Sequence, residues 1–227
     1  MSTKIEKRKT NFSTAQLNGI FPTPVMWNDL GREITKTEWE MVRDCKRDLN
    51  PNTGNNTSNN KYVLQDSRLS DLKAFIDSNL QHYFNEILSP KYDIKPYVTQ
   101  SWINYTEPGE YHHKHAHPGS FVSGVFYIQS DNIEDKIHFY KDSYETLPIP
   151  TEKFNLYNSA SWWFNTRQCS VVLFPSNLTH MVETTTSKKT RISLSFNTFI
   201  EGLIGEESSL TALHTERGTK YKGWLEV

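Results

Sequence analysis

Four of the chain's eight histidines fall within six residues, His112, His113, His115 and His117, inside the run S-W-I-N-Y-T-E-P-G-E-Y-H-H-K-H-A-H-P-G-S-F-V-S-G-V-F-Y-I-Q. Imidazole nitrogen is a donor suited to Fe, Zn, Cu and Ni. Residues two apart on a strand face the same way, so His115 and His117 can present two rings to one point. His113 and His115 satisfy the same spacing, which leaves the pair open on spacing alone. His112 has the opposite parity and is expected off the site. A third imidazole, His180, closes the turn in F-P-S-N-L-T-H-M-V-E, and eleven residues later Arg191 and Ser193 share one face of R-I-S-L-S-F-N. Two adjacent imidazoles, a distant third and an arginine beyond it predict a mononuclear metal site with an anion clamp. No Asp or Glu shares the arginine's face of its strand. Its planar fork is therefore expected to grip a carboxylate carried by a ligand, with an ion pair to a distant acid as the alternative.

The elements that must position these residues follow from periodicity. A short extended segment, G-I-F-P-T-P-V-M-W, can take only an edge position because of Pro22 and Pro24. T-K-T-E has capping-box spacing and predicts a helix from about Thr35, with Trp39, Val42, Cys45 and Leu49 on one face and Pro51 as the stop. N-P-N-T-G-N-N-T-S-N-N predicts a polar loop. A second helix is expected over 70–88, its broad apolar stripe built from Leu72, Phe75, Ile76, Leu80, Tyr83, Phe84 and Ile87. From Ile94 the period changes to two. Strands are expected at 97–105, 121–129, 136–141, 152–157, 160–165, 170–174 and 190–199. Helices followed by many short strands predict a mainly β fold, a sandwich or jelly roll with helices covering one sheet. In the last strand Ile192, Leu194 and Phe196 suit the helical stripe, and Arg191, Ser193, Ser195 and Asn197 face the other way, into the barrel. The expected organisation is a polar leader (1–18), one domain (19–200) with a helical support region (19–93) and a β core (94–200), and a polar tail (201–227).

Composition narrows the function. The 227 residues suffice for one full core, and a net charge of −1 gives no electrostatic case for nucleic acid or a membrane surface. No apolar run has spanning length, and the charged start M-S-T-K-I-E-K-R-K-T-N-F lacks the apolar core of a secretion signal. Cys45 and Cys169, far apart and without C-x-x-C spacing, are expected to be reduced thiols of a cytoplasmic protein.

Three segments together, H-x-H-P-G-S-F-V-S-G-V-F-Y-I, L-F-P-S-N-L-T-H and R-I-S-L-S-F-N, resemble the iron(II)- and 2-oxoglutarate-dependent oxygenases, and in particular a small group of them found in bacterial and phage genomes. The early I-F-P-T-P-V is similar to the start of that group, so the likeness spans about residues 19–199. It implies a double-stranded β-helix (jelly roll, cupin-like) with iron at its open end. It sets His115 and His117 at the H-x-D/E positions and His180 at the distal histidine. Arg191 and Ser193 then match the R-x-S that grips the far carboxylate of 2-oxoglutarate, Tyr127 matches a tyrosine that touches the same carboxylate, and Asn104 is a candidate for its other end. One departure matters: His117 stands where the superfamily has a carboxylate. Three neutral imidazoles leave the metal's charge unreduced and should also suit Ni, Cu or Zn. A three-histidine site is the expectation, with water or a carboxylate from elsewhere as the other ways to complete it.

The implied activity is a hydroxylase that couples decarboxylation of 2-oxoglutarate to succinate with oxidation of a C–H bond, using Fe(II), and ascorbate as the reductant in an assay. The prime substrate, a protein side chain, an amino acid or a metabolite, is not named by the sequence. Two other classes compete: a non-catalytic jelly-roll binding or virion module, and a cupin-like three-histidine metalloenzyme that does not use 2-oxoglutarate.

Overall fold

The capping box at Thr35 forms as its spacing requires. Thr35 Oγ1 accepts from the Glu38 amide at 3.2 Å, and Glu38 Oε2 accepts from the Thr35 amide at 2.7 Å. The computed structural model describes residues 16–141 and 149–217. Its elements begin with β1 (Met26–Asp29), α1 (Lys36–Cys45), β2 (Leu49–Asn52), β3 (Asn55–Ser58), α2 (Ser70–Leu88), β4 (Lys95–Thr106) and β5 (His112–His115). They continue with β6 (Val122–Gln129), β7 (Lys136–Tyr140), β8 (Ser161–Asn165), β9 (Ser170–Pro175), β10 (His180–Val182), β11 (Arg191–Ile204) and β12 (Leu213–Thr215). No helix among the described residues is long and apolar enough to cross a membrane.

The strands form two antiparallel sheets. The larger runs β1-β9-β6-β11-β4-β3-β2, with β12 added to β11, and the smaller runs β5-β10-β7-β8. β1 lies at the large sheet's edge, and Pro22 and Pro24 precede it outside the ladder. One face of the large sheet packs on the helices: Ile103, Tyr105, Val122, Phe126, Val171, Leu173, Ile192, Leu194 and Phe196 share a core with Leu72, Ile76, Leu80 and Phe84 of α2. The opposite face looks at the small sheet across a second core of Tyr127, Ile137, Phe139, Val172 and Phe174. This is the double-stranded β-helix with covering helices. Period-two alternation sorts β6 as expected, with Val122, Phe126 and Ile128 in the helix-facing core and Tyr127 in the second, and puts Ile192, Leu194 and Phe196 of β11 in the helix-facing core; β9 alternates likewise, Val171 and Leu173 against Val172 and Phe174.

Three expectations need correction. The polar stretch 51–60 is not a loop: β2 and β3 form a hairpin, and β3 pairs with β4 through Asn56↔Tyr105 and Thr57↔Asn104. Consequently α1 ends at Cys45, and Leu49 belongs to the hairpin. No strand forms at 152–157. There Asn155 Oδ1 accepts from the Tyr157 amide at 2.8 Å, and Asn158 Oδ1 accepts from the Asn155 amide at 2.7 Å. These side chains take the donors a ladder would use. The start of the tail packs as a short element, since β11 continues to Ile204 and pairs with β12; its aromatics Tyr221 and Trp224, like most of the leader, lie outside the described residues.

Gly124, in the S-G-V-F segment of β6, shows how tightly the helix-facing core closes. A Cβ there would lie 2.1 Å from Phe196 Cζ and 2.7 Å from Leu173 Cδ2, both side chains fully buried. The Phe196 ring covers the glycine across the strand pair Phe196↔Gly124. Gly124→Ala should therefore cost about 1–3 kcal/mol by overpacking. A thermal melt should show Tm lowered by roughly 2–4 °C for each kcal/mol, and an unchanged Tm would contradict this packing.

Candidate metal and anion site

The last turn before β10 and the end of β5 meet at the mouth of the space between the sheets. β5 and β10 pair antiparallel with His180 directly opposite His115. His117 lies just past β5, where its backbone N–H donates to Ser176 O at 2.9 Å. That bond ties the H-P-G-S turn to the turn that precedes His180. The ring centroids are then 4.4 Å apart for His115 and His180, 4.8 Å for His115 and His117, and 5.2 Å for His117 and His180. One nitrogen from each of the three lies within 4.8 Å of the others.

Two of these rings are fixed in tautomer. His115 Nδ1 lies 2.7 Å from His113 O, and His180 Nδ1 lies 2.9 Å from Leu178 O. A carbonyl can only accept, so each Nδ1 carries the proton and each Nε2 keeps its lone pair for a metal. Burial lowers all three imidazole pKa values, to about 4 for His117 and about 3 for His180, with His115 adding to both shifts and itself lowered. The rings are thus neutral at neutral pH, the form that ligates. Phe174 packs edge-on against His180 at 4.7 Å and Trp102 lies 6.1 Å from His117, giving the cluster an apolar rim.

Behind the histidines, the inward face of the large sheet is polar. Cross-strand register sets Arg191 opposite Thr106, Ser193 opposite Asn104 on one side and opposite Tyr127 on the other. Asn104 Nδ2 donates to Ser195 Oγ at 2.8 Å and lies 3.5 Å from Ser193 Oγ. The fold thus brings His115, His117, His180, Arg191, Ser193, Tyr127 and Asn104 around one cavity.

Several polar atoms of this cavity are buried without a partner: Arg191 Nη1, Tyr127 Oη and Asn104 Oδ1. Burial raises the Tyr127 phenol's pKa and lowers that of the Arg191 guanidinium, so the phenol stays protonated as a donor. Two buried donors without an acceptor are costly unless a ligand supplies one. A carboxylate fits that need.

Arg191 also meets a distant acid, the alternative its sequence context had left open. Asp135, just ahead of β7 and fully buried, sets Oδ1 3.6 Å from Arg191 Nη1. It comes from beside the other sheet, not from the arginine's own strand. The contact is an ion pair beyond hydrogen-bonding distance, since Asp135 is engaged elsewhere. Thr185 Oγ1 donates to Oδ1 at 2.7 Å and the Asp131 amide donates to Oδ2 at 2.9 Å. Arg191 Nη2 donates instead to Thr106 Oγ1 at 3.2 Å.

The expectation for His112 needs correction. The β5–β10 pairing slips between His180↔His115 and Val182↔His112, where His113 and Lys114 of β5 stand against Met181 alone on β10. This bulge inverts the parity. His112 therefore faces the cavity, its ring stacked on His115 at 4.7 Å and 14°. His112, His113 and His115 form another group with nitrogens close enough to share an ion. His115, however, has only Nε2 free for either group.

Residues 100–197 match the model of a family described as "Putative 2OG-Fe(II) oxygenase". No curated protein matches the chain in sequence. A prolyl hydroxylase from Trichoplax adhaerens, solved with a hypoxia inducible factor peptide fragment, is 11% identical, with TM-score 0.56 over 77% of this chain and 83% of that one. HygX from Streptomyces hygroscopicus, solved with nickel, 2-oxoglutarate and hygromycin B, is 10% identical, with TM-score 0.52 over 78% and 82%. The 2-oxoglutarate-dependent (alpha ketoglutarate) carbocyclase SnoK is 11% identical, with TM-score 0.52 over 78% and 79%. At these identities the structures establish the shared jelly-roll fold.

Proposed function

We propose, from the match of residues 100–197 to the 2OG-Fe(II) oxygenase family model, that the chain belongs to that family and is an Fe(II)- and 2-oxoglutarate-dependent dioxygenase acting as a hydroxylase, its oxygenase domain lying within about residues 19–200. The observation that carries this reading is the placement of three neutral imidazoles and two unpartnered buried donors around one cavity. His115, His117 and His180 would hold the iron through nitrogen. Arg191 and Ser193 would bind the distal carboxylate of 2-oxoglutarate, with Tyr127 donating to it and Asn104 lining the same space. Bound iron supplies the activation of O2, so that 2-oxoglutarate, O2 and a substrate C–H become succinate, CO2 and a C–OH. Val125, Ile137 and Phe174 give the same cavity apolar walls that would limit water there.

The substrate is open. Proteins of this fold have been solved with a peptide fragment and with hygromycin B. A protein side chain, an amino acid or a small metabolite fits the near-neutral charge better than nucleic acid or a membrane surface. Two free thiols, Cys45 and Cys169, fit a reducing compartment, and on that ground we place the protein in the cytoplasm.

The Arg191–Asp135 contact favours a second reading, a three-histidine metalloenzyme whose arginine is balanced internally and which does not use 2-oxoglutarate. Anaerobically purified protein supplied with Fe(II), ascorbate, 2-oxoglutarate and O2 decides between them. Succinate should form slowly even without a prime substrate. A protein that binds iron yet neither binds 2-oxoglutarate nor forms succinate belongs to the second reading.

A further inference from the structure

We infer that His112 is an additional binding residue for 2-oxoglutarate, donating Nε2–H to one of its carboxylate oxygens, and that the Asn-rich hairpin β2–β3 exists to hold that ring in the donating tautomer. The inference rests on the function proposed above and adds residues that the histidine and arginine motifs do not include.

The bulge in β5 turns His112 into the cavity that also holds Arg191, Tyr127 and His180. Its Nδ1 lies 3.5 Å from the amide nitrogen of Asn55. That amide is oriented, because Asn55 Oδ1 accepts from Asn52 Nδ2 at 2.9 Å and Asn55 Nδ2 donates to Thr106 Oγ1 at 3.2 Å. An amide NH2 can only donate, so His112 Nδ1 accepts and the ring proton sits on Nε2. Nε2 has no hydrogen-bond partner among the described residues. Thr106 Oγ1 also accepts from Arg191 Nη2, at 3.2 Å, so one hydroxyl couples the arginine to the amide that sets His112. The buried residues of the hairpin have polar partners: Asn55 Nδ2 donates to Thr106 Oγ1 and Thr57 Oγ1 accepts from Lys61 Nζ at 2.9 Å.

Anaerobic calorimetric titration of 2-oxoglutarate into the Ni(II)-loaded full chain tests this, with Ni(II) titration of each variant as an independent readout. His112→Ala should weaken 2-oxoglutarate binding about tenfold or more, the worth of one hydrogen bond to a charged acceptor, and leave Ni(II) affinity unchanged. His112→Gln should recover much of the loss, because its amide can donate from a similar place and fills the site if the alanine variant folds poorly. Asn55→Ala should weaken 2-oxoglutarate by a smaller factor and add nothing on top of His112→Ala, as expected for one coupled unit. Unchanged 2-oxoglutarate affinity in His112→Ala overturns the inference. Lost Ni(II) affinity in that variant overturns it too and assigns the ring to the metal. A wild type that binds Ni(II) but not 2-oxoglutarate overturns the proposed function itself, and this inference with it.

Discussion

Arg191→Ala should weaken 2-oxoglutarate binding by about a hundredfold or more while Fe(II) affinity stays within a small factor of wild type. The guanidinium fork can donate two charge-assisted hydrogen bonds to a carboxylate, each worth roughly 1.5–3 kcal/mol, and a factor of ten corresponds to about 1.4 kcal/mol. The unpartnered Nη1 and Tyr127 Oη are the donors waiting for that acceptor. The substitution also leaves Asp135 buried without its counter-ion at 3.6 Å, and breaking a buried pair from one side costs about 3–5 kcal/mol of stability. Arg191→Lys guards against misreading a destabilised protein as a binding defect. It keeps the charge beside Asp135 but cannot form the planar fork, so its affinity should fall between those of the alanine variant and wild type. Calorimetry under anaerobic conditions reads the affinity, and a melt of each metal-loaded variant reads the fold. Wild-type affinity in both variants would remove Arg191 from the cosubstrate site and favour the metalloenzyme that does not use 2-oxoglutarate.

His115→Ala and His180→Ala should each lower Fe(II) affinity by more than the roughly 10–100-fold typical of changes outside the ligand shell. Each removes an Nε2 that its neighbouring carbonyl has left unprotonated, from a group whose ligand nitrogens lie within 4.8 Å of one another. The fold should survive, since both positions lie at the mouth between the sheets rather than in the helix-facing core. His117→Asp should keep iron, because a carboxylate is also a ligand of non-haem iron, and should shift preference away from Ni, Cu and Zn, which imidazole suits. Metal titration followed by melting separates the cases, because a metal bound to the folded state raises Tm, and at a fixed concentration the rise grows with the logarithm of its affinity. A His180→Ala protein that is stabilised by Fe(II) as strongly as wild type would show that the ion sits elsewhere, with His112, His113 and His115 the next group to examine.

What the sequence by itself determined is everything written in local period and local chemistry. The pleat forces alternation, so Ile192, Leu194 and Phe196 had to face one way and Arg191, Ser193 and Ser195 the other. The α2 stripe had to cover the apolar face, and T-K-T-E had to start a helix. Tertiary structure alone decided three things. Cross-strand register chose which histidines converge, and a one-residue bulge against β10 reversed the parity that excluded His112. Pairing with β4 made a hairpin of the Asn-rich stretch, whose buried residues are polar because they bond polar side chains, Asn55 with Thr106 and Thr57 with Lys61. Closure of the small sheet over the large one delivered Asp135 to Arg191, two residues 56 positions apart. Each of these depends on backbone hydrogen bonds or packing between distant segments, an energy that no window of neighbouring residues contains.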